Sequence, residues 1–440
     1  MLKLTFSNIK PILQLAWPII IGNLSQILLN LIDSMIVGQI GYKELASSGL
    51  INNVLSLPMV ACMGLSVVLA PLMADLMQRN KSAEGRQLMQ SATLIVLLFT
   101  LLIILVLFVF KSYLYKLGQE KEIVDLGIPY FFWMCWSLLP MMLFYIIKQF
   151  YDGMGLVKIP MMIALFSILV NAILNVVLVF GKMGFPQLGL EGSGLATFIT
   201  RCLIFSILLF HLFYSNKFKE YKLFIIDFDK KAIMKFLKIA LPSSWQSASE
   251  VTAFSLLAIM VGWFGAVQMA AHQIAISVAT ATYMISLGLA SAGSIYLGSK
   301  FGQNDPAILR FNGLLVVKIA FAYSFIAAIL MALFHSWVPH LFTRETSVII
   351  IASQLMLLAA AFQISDAVQA VGIGILRGVQ DVRVPTLITT ISYWIIGIPS
   401  GYFLASYCGL KAIGVWAGFV ICLTISAIFL LRRFLKITKS

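Results

Sequence analysis

Long apolar stretches constrain the fold of this chain more than any other feature of its sequence. A helix needs about 20 mainly apolar residues to cross the hydrocarbon core of a bilayer. Twelve stretches meet this requirement, namely 12–40, 49–76, 88–110, 129–150, 159–181, 190–213, 236–261, 268–298, 312–333, 347–373, 386–406 and 409–431. We therefore predict an all-α polytopic membrane protein with twelve transmembrane helices.

The composition excludes a soluble domain. Of the 440 residues 61% are hydrophobic and 11% are charged, and the mean hydropathy is +0.98, whereas a soluble domain has about 25% charged residues. The N-terminus MLKLTFSNIK lacks the features of a cleavable signal, so we expect insertion through the first helix. The five cysteines are scattered, and their spacing predicts neither a disulfide nor a metal cluster.

The net charge of +14 follows from membrane topology and does not require a nucleic-acid partner. If the N-terminus lies inside, the cytoplasmic segments hold 22 of the 31 Lys and Arg residues and the outside segments hold 7. Arg201 and Lys318 lie within spans. This bias predicts that both termini are cytoplasmic in a multi-pass protein of the cell (inner or plasma) membrane.

The first span carries a polar stripe. Its members recur at intervals of three and four residues, so they share one face of a helix: Asn23, Gln26, Asn30 and Asp33. An ionised carboxylate at bilayer depth costs about 2.5–3.5 kcal/mol on insertion scales. We therefore interpret Asp33 as a functional site, and the alternative is a carboxylate that merely joins neighbouring helices.

The opening pattern returns in the second half. At an offset of 224 residues Pro18 matches Pro242 and Asn80 matches Asn304; at an offset of 225, Gly153 matches Gly378. We predict an N-lobe of residues 1–213, a cytoplasmic linker of residues 214–235 and a C-lobe of residues 236–440. A parallel repeat of this kind is an architecture of secondary transporters.

Further polar groups lie at helical spacing in later spans. They are Asn171 and Asn175 in the fifth span, Ser243, Gln246 and Glu250 in the seventh, and Asp366 and Gln369 in the tenth, where the apolar Phe362 continues the same spacing. Asp33, Glu250 and Asp366 are the acids that lie clearly inside spans. Binding of a proton or a metal cation is one way to neutralise them, and Arg201 or Lys318 is the other.

Several of these runs resemble the multidrug and toxic-compound extrusion (MATE) family, in its NorM-type bacterial branch. They are Asn171 through Pro186, Glu250-Val-Thr, Ala270 through Ile274, and Phe362 through Gln369. The resemblance implies two six-helix bundles related by a pseudo-two-fold axis in a V-shaped fold. It also implies export of organic cations by antiport with Na⁺ or H⁺.

The resemblance assigns roles residue by residue. It implies coupling to the cation or proton through Asp33, Asn171 and Asn175 in the N-lobe and through Glu250 and Asp366, as Na⁺ ligands, in the C-lobe. We expect the substrate cavity to include Gln26, Asn30, Thr197, Gln246, Phe362 and Gln369. Phe362 departs from the family pattern, because members of this branch often carry a tyrosine at this position. The phenol oxygen that such a tyrosine would supply is absent here.

We therefore predict a cation-coupled antiporter that exports cationic, lipophilic drugs and toxic compounds by alternating access. Its partners would be organic cations and the bilayer. It would act as a monomer, without a resident cofactor, and the residues do not discriminate between Na⁺ and H⁺.

Three alternatives are weaker. A lipid-linked oligosaccharide flippase or polysaccharide exporter needs a cationic cavity, whereas the intramembrane charge here is mainly acidic. An intramembrane enzyme needs a catalytic dyad, and His272 instead lies near a helix end that it can cap. The internal repeat disfavours a channel.

Overall fold

The computed structural model describes residues 6–116, 120–221, 225, 227 and 229–439, and the secondary structure of this part is helical throughout. The α-helices are α1 (Phe6–Gly38), α2 (Tyr42–Ser66), α3 (Leu69–Gln78), α4 (Ser82–Val109), α5 (Lys121–Gly153), α6 (Lys158–Phe180), α7 (Gly189–Tyr214), α8 (Lys230–Gly262), α9 (Ala266–Phe301), α10 (Pro306–Phe334), α11 (Thr346–Gly378), α12 (Arg383–Ile391), α13 (Ile398–Ser406) and α14 (Lys411–Ile437). A π-helix, Ser392–Gly397, joins α12 to α13. The predicted all-α class is confirmed.

Eleven helical segments in the described part of the chain are long and apolar enough to cross a membrane. Each coincides with a predicted span; α2 and α3 together form one, and α12, the π-helix and α13 form another. The remaining predicted span, 236–261, lies in α8. That helix has 33 residues, but polar side chains such as Gln246 and Glu250 keep its hydropathy below that of the others. The twelfth predicted span therefore also lies in a helix long enough to cross a bilayer, although its hydropathy is below that of the other eleven.

The chain divides into two compact units. One comprises Ile21–Ser244, and the other comprises the residues up to Ile20 together with those from Trp245 onward. The predicted boundaries of the lobes, at 213 and 236, stay a prediction. Within the predicted linker, residues 222–224, 226 and 228 lie outside the described residues.

The unit of residues 21–244 is organised around α5. This helix packs against α2, α3, α4 and α7, and α6 packs against α7. Phe150 of α5 is fully buried and contacts the rings of Phe218 and Tyr221, at centroid distances of 5.4 and 5.5 Å. The short helix Asn216–Tyr221 is thereby attached to the core of this unit.

Asp227 attaches a further point of the linker to the same unit. Its carboxylate accepts hydrogen bonds from Gln87 Nε2, at 2.9 Å, and Arg86 Nη2, at 3.1 Å. Its backbone amide donates to Gln90 Oε1 at 3.0 Å. The hydrogen bonds from Gln87 and then Arg86 hold the pKa of the exposed Asp227 carboxyl below its ordinary value.

The unit that contains residues 245–440 is organised around α11, which packs against α9, α10 and α14. Its core contains the fully buried ring of Trp416 with Phe419 and Tyr393. This packing fixes α11, which carries three of the predicted site residues, Phe362, Asp366 and Gln369, at buried positions.

The internal repeat is visible in helix bounds and turns. The helices α1 and α8 both have 33 residues, begin 224 residues apart, and contain Pro18 and Pro242 at matching positions. Asn80 and Asn304 both adopt a left-handed backbone, with φ values of 54° and 50°. The predicted repeat in sequence therefore corresponds to a repeat in local structure.

The repeat extends to one close helix–helix contact. A methyl group at Gly153, the last residue of α5, would lie 2.5 Å from the carbonyl oxygen of Ala70 on α3. A methyl group at Gly378, the last residue of α11, would lie 2.6 Å from the carbonyl oxygen of Ser294 on α9. Glycine is required at both positions because backbone meets backbone there.

Candidate functional site

Neutral donors surround Asp33 in the unit of residues 21–244. Asn175 Nδ2 donates to Asp33 Oδ1 at 2.8 Å, and Thr197 Oγ1 lies 3.5 Å from Asp33 Oδ2. In the described part of the chain no base lies within 4.0 Å of this carboxylate, although Arg201 interacts with it electrostatically. Asp33 is therefore held by hydrogen bonds and not by a direct ion pair.

The two asparagines form a buried pair, as their spacing predicted. Both are completely buried, and Asn175 Nδ2 also contacts the backbone oxygen of Asn171 at 3.0 Å and its Oδ1 at 3.1 Å. Asn171 Nδ2 and Asn175 Oδ1 have no hydrogen-bond partner among the described residues. Buried amide groups are normally satisfied, so this pair retains hydrogen-bonding capacity beside Asp33.

A small polar cavity adjoins this pair. About 20 Å³ is available to the centre of a water molecule, which is room for one water. The lining includes Gln26, Asn171, Thr197 and Arg201. The structure thus brings Gln26 and Thr197 of the predicted substrate cavity to the Asp33 region, whereas Asn30 is exposed and lies outside this lining.

The second acid is held by phenols. Glu250 Oε1 accepts hydrogen bonds from Tyr283 of α9 at 3.3 Å and from Tyr393 at 3.4 Å. Gln369 Nε2 donates to the phenol oxygen of Tyr393 at 2.6 Å. Gln369, predicted for the substrate cavity, is thus connected to Glu250 through one tyrosine.

The π-helix accounts for the position of Tyr393. This residue lies in the segment Ser392–Gly397, where the backbone is more loosely wound than an α-helix. π-helical turns are rare and occur frequently at functional sites. The wider turn sets the direction of the Tyr393 ring, which packs beside Phe254 and is almost fully buried.

Asp366 completes the acidic group of this unit. It is 6% exposed and interacts electrostatically with Glu250, Tyr283 and Tyr323. Like Asp33, both acids lack an ion pair within 4.0 Å in the part of the chain that the structure describes. Glu250 has the guanidinium of Arg377 as an electrostatic neighbour.

Two further residues predicted for the substrate cavity lie in buried surroundings. Gln246 Nε2 lies 3.4 Å from Thr389 Oγ1, and Gln246 Oε1 has no partner among the described residues. Phe362 packs on Trp416, with ring centroids 5.7 Å apart. The cavity roles of these residues stay predictions.

The position of His272 in the sequence suggested a helix cap, but the structure places it elsewhere. It is buried, and Trp416 Nε1 donates to its Nδ1 at 3.0 Å. The interpretation as a cap was wrong because the residue faces the aromatic core and not the helix end.

Sequence reasoning missed Tyr283 and Tyr393. The absence of a phenol at Phe362 suggested a poorer set of oxygen ligands, yet two phenols from other helices reach Glu250. A signal was present, because Tyr283 lies in the middle of a predicted span, away from the interfaces where tyrosines usually occur. Tyr393 also lies inside a predicted span, but its approach to Glu250 depends on the π-helical turn, which no periodic pattern in the sequence indicates.

The donor set suits a weakly bound cation. Among the described residues no group of three or more His, Cys, Asp or Glu side chains is placed to hold a metal ion. The oxygens near Glu250 instead comprise two carboxylates and two phenols. Hard cations prefer oxygen ligands, so these oxygens are groups of the kind that such a cation uses.

Comparison with known proteins shows what the whole chain is similar to. The profile of the MatE family matches the chain twice, over residues 18–177 and 242–403. A probable multidrug resistance protein NorM from Agrobacterium fabrum is 30% identical over 99% of this chain and 95% of its own length. A second, from Oceanobacillus iheyensis, is 31% identical over 98% of this chain and 97% of its own length.

A solved structure shows the same fold. A crystal structure of MATE in the bent conformation has a TM-score of 0.89 and 21% identity, and the match covers 98% of this chain and 95% of that chain. The double match of the family profile also agrees with the repeat at an offset of 224 residues. The chain belongs to the MatE family, among the NorM-type proteins, and it is a multi-span membrane transporter and not an enzyme.

Proposed function

We propose that this transporter exports organic cations by alternating access, in exchange for Na⁺ or H⁺ that binds to its intramembrane carboxylates. The relatives in Agrobacterium and Oceanobacillus are named as probable multidrug resistance proteins, which supports a drug-like substrate. Apolar and aromatic walls around a few polar groups are typical of sites for such ligands.

One observation carries the proposal. Asp33, Glu250 and Asp366 have no base within 4.0 Å in the described structure, and the donors to Asp33 and Glu250 are neutral amides, hydroxyls and phenols. Neutral donors lessen the cost of a buried carboxylate but leave its charge in place. A coupling ion and a cationic drug can then compete for the same negative group, which is the basis of exchange.

The placement in the cell follows from the charge bias. With 22 Lys and Arg residues in the predicted cytoplasmic segments against 7 outside, we place both termini on the cytoplasmic side of the inner or plasma membrane. We also propose that the protein acts as a monomer.

The test is transport by the purified protein in liposomes. Efflux of ethidium, a fluorescent organic cation, is measured with an imposed Na⁺ gradient and, separately, with an imposed pH gradient. We expect one of the two gradients to accelerate efflux, and we expect Asp33→Asn, Glu250→Gln and Asp366→Asn each to reduce this acceleration.

The matched control is Glu345→Gln, which makes the same chemical change at an exposed residue and should leave efflux unchanged. If both Glu250→Gln and Asp366→Asn show wild-type efflux, then Glu250 and Asp366 do not have the proposed role in coupling. If Asp33→Asn shows wild-type efflux, then Asp33 does not have the proposed role in coupling. Efflux that is indifferent to both gradients would refute cation coupling altogether.

A further inference from the structure

We propose that Arg201 is an internal counter-ion of Asp33, a resident cation that competes with transported cations and thereby limits how tightly they bind. The inference rests on the proposed function, because it supposes that Asp33 attracts organic cations. It assigns Arg201 a positioning role, in which the residue acts on the substrate through Asp33.

The helix α7 places Arg201 close to the carboxylate but not against it. Thr197, the partner of Asp33 Oδ2, precedes Arg201 by four residues, so both lie on one face of the helix. Arg201 Nη1 donates to Ser137 Oγ of α5 at 2.6 Å. This hydrogen bond holds the guanidinium on α5, away from a direct ion pair with Asp33.

The small cavity is lined by Arg201 and by neighbours of Asp33, although Asp33 itself does not line it. Its lining contains Thr197 and Asn171, which belong to the surroundings of Asp33, and also Arg201 and Tyr145. Asn171 Nδ2, completely buried, has no hydrogen-bond partner among the described residues. The cavity is thus a space large enough for one water that Arg201 shares with Asn171 and Thr197, the neighbours of Asp33.

Other titratable groups near this pair are neutral or already paired. Tyr130 and Tyr145 of α5 face Arg201, and Tyr130 also faces Asp33; phenols of this kind carry no charge near pH 7. Beyond Tyr145, Lys148 and Asp152 form their own ion pair at 2.6 Å. Within the described residues Arg201 is therefore the fixed charge that acts on Asp33.

This separation gives Arg201 a specific effect. A direct ion pair would block the carboxylate, and an arginine far away would not influence it. At an intermediate distance the guanidinium repels an arriving cation and partly compensates the carboxylate after a cation leaves. A neighbouring opposite charge changes the ionisation equilibrium of a carboxyl by about tenfold or more, so we expect an effect of about tenfold on cation binding.

The experiment measures equilibrium binding of ethidium to the full-length protein in detergent, by fluorescence anisotropy at constant pH and Na⁺ concentration. Four proteins are compared, namely wild type, Arg201→Gln, Asp33→Asn and the double variant. We expect Arg201→Gln to bind ethidium about tenfold more tightly and Asp33→Asn to bind it more weakly. The double variant should regain an affinity near that of wild type, because both charges are gone.

This rescue distinguishes a charge effect from a structural one. If Arg201 served only to hold α7 on α5, then its removal would weaken binding further in the Asp33→Asn protein. Arg201→Lys, which keeps the charge, should remain close to wild type. Arg310→Gln, the same substitution at an exposed arginine, should have no effect.

A second variant keeps the inference testable if Arg201→Gln does not yield folded protein. Ser137→Ala removes the hydrogen bond that holds the guanidinium on α5, so Arg201 can approach Asp33, and ethidium binding should weaken. Unchanged or tighter binding in Ser137→Ala would contradict the inference.

The failures of the two proposals are distinguishable. If Asp33→Asn binds ethidium as wild type does, then the proposed role of Asp33 in the transport function is wrong. If Asp33→Asn binds weakly and the added Arg201→Gln change does not restore binding, then the counter-ion role is wrong and the transport function stands.

Discussion

Substitution of Gly153 and Gly378 by alanine tests whether the internal repeat reaches the level of packing. A carbon and an oxygen in contact lie about 3.3 Å apart or more, whereas the added methyl groups would lie 2.5 Å and 2.6 Å from carbonyl oxygens of Ala70 and Ser294. Each helix pair must therefore separate by about 0.7–0.8 Å. Because the obstacle is backbone and cannot rotate away, we expect each substitution to destabilise its unit by about 1–3 kcal/mol, as overpacking usually does.

The control is Gly49→Ala in α2. No atom lies within 4 Å of the position that its methyl group would occupy, so only the better helix propensity of alanine remains, worth about 0.5–1 kcal/mol. Gly153 and Gly378 are the last residues of their helices and gain little of this benefit. The substitution at Gly49 should therefore be neutral or stabilising.

The assay is thermal unfolding of the detergent-purified protein, followed by the fluorescence of its 8 tryptophans. For units of about 200 residues, each kcal/mol lowers the midpoint by about 2–4 °C. We expect Gly153→Ala and Gly378→Ala to lower it to a similar extent and Gly49→Ala to leave it unchanged or raise it. Unchanged midpoints for Gly153→Ala and Gly378→Ala would refute the close packing, and a loss at only one of them would refute the equivalence of the two contacts.

Three further predictions concern the site and the linker. Asn175→Ala removes a hydrogen bond to the Asp33 carboxylate worth about 1.5–3 kcal/mol. Because the carboxylate then depends more on a bound cation for stabilisation, ethidium should bind about tenfold more tightly and dissociate more slowly. An equal effect of Asn175→Ala in the Asp33→Asn protein would contradict this role of the hydrogen bond. Tyr393→Phe removes one of the two phenol groups that contact Glu250. Because this contact is long, at 3.4 Å, the Na⁺ or H⁺ dependence of efflux should change by less than tenfold. A complete loss of this dependence would contradict the minor role assigned to the phenol. Hydrogen bonds from α4 lower the pKa of Asp227, so the attachment that they provide is complete above the usual aspartate pKa of about 3.9 and is lost as the pH falls through the lowered pKa. Hydrogen exchange of the Asp227 amide, relative to the intrinsic rate, should therefore accelerate as the pH falls through the lowered pKa. The Asp227→Asn protein, which lacks the carboxyl, should show no such acceleration.

The sequence predicted much of the fold because bilayer-spanning helices and a repeat leave strong periodic signals. The bounds of eleven spans agree with the described helices within several residues. Asn80 and Asn304, paired in sequence as repeat positions, also share a left-handed backbone, which the sequence did not predict. The prediction was weakest in α8, where the polar residues that serve the site also reduce the apolarity by which a span is recognised.

The site was predictable where a regular helix carries it. Asn171 and Asn175, four residues apart on α6, share a face, and depth in the bilayer singled out Asp33. Tyr393 was not predictable as a partner of Glu250, since a π-helical turn changes which side chains share a face. Nor could spacing show that Ser137, on another helix, holds Arg201, because that contact depends on packing between α5 and α7.

The use of neutral donors at Asp33 and Glu250 has a common energetic reason. A carboxylate at bilayer depth costs about 2.5–3.5 kcal/mol, and one hydrogen bond to a charged group returns about 1.5–3 kcal/mol. Asp33, with one short and one long hydrogen bond, is thus close to balance without any cation, so that binding and release of a cation are both accessible. A direct ion pair would shift this balance, since separating a buried pair costs about 3–5 kcal/mol, and every exchange step would have to overcome that cost. The absence of a base within 4.0 Å of Asp33 in the described structure, together with a guanidinium held nearby by Ser137, is the arrangement that the proposed exchange of cations at this carboxylate requires.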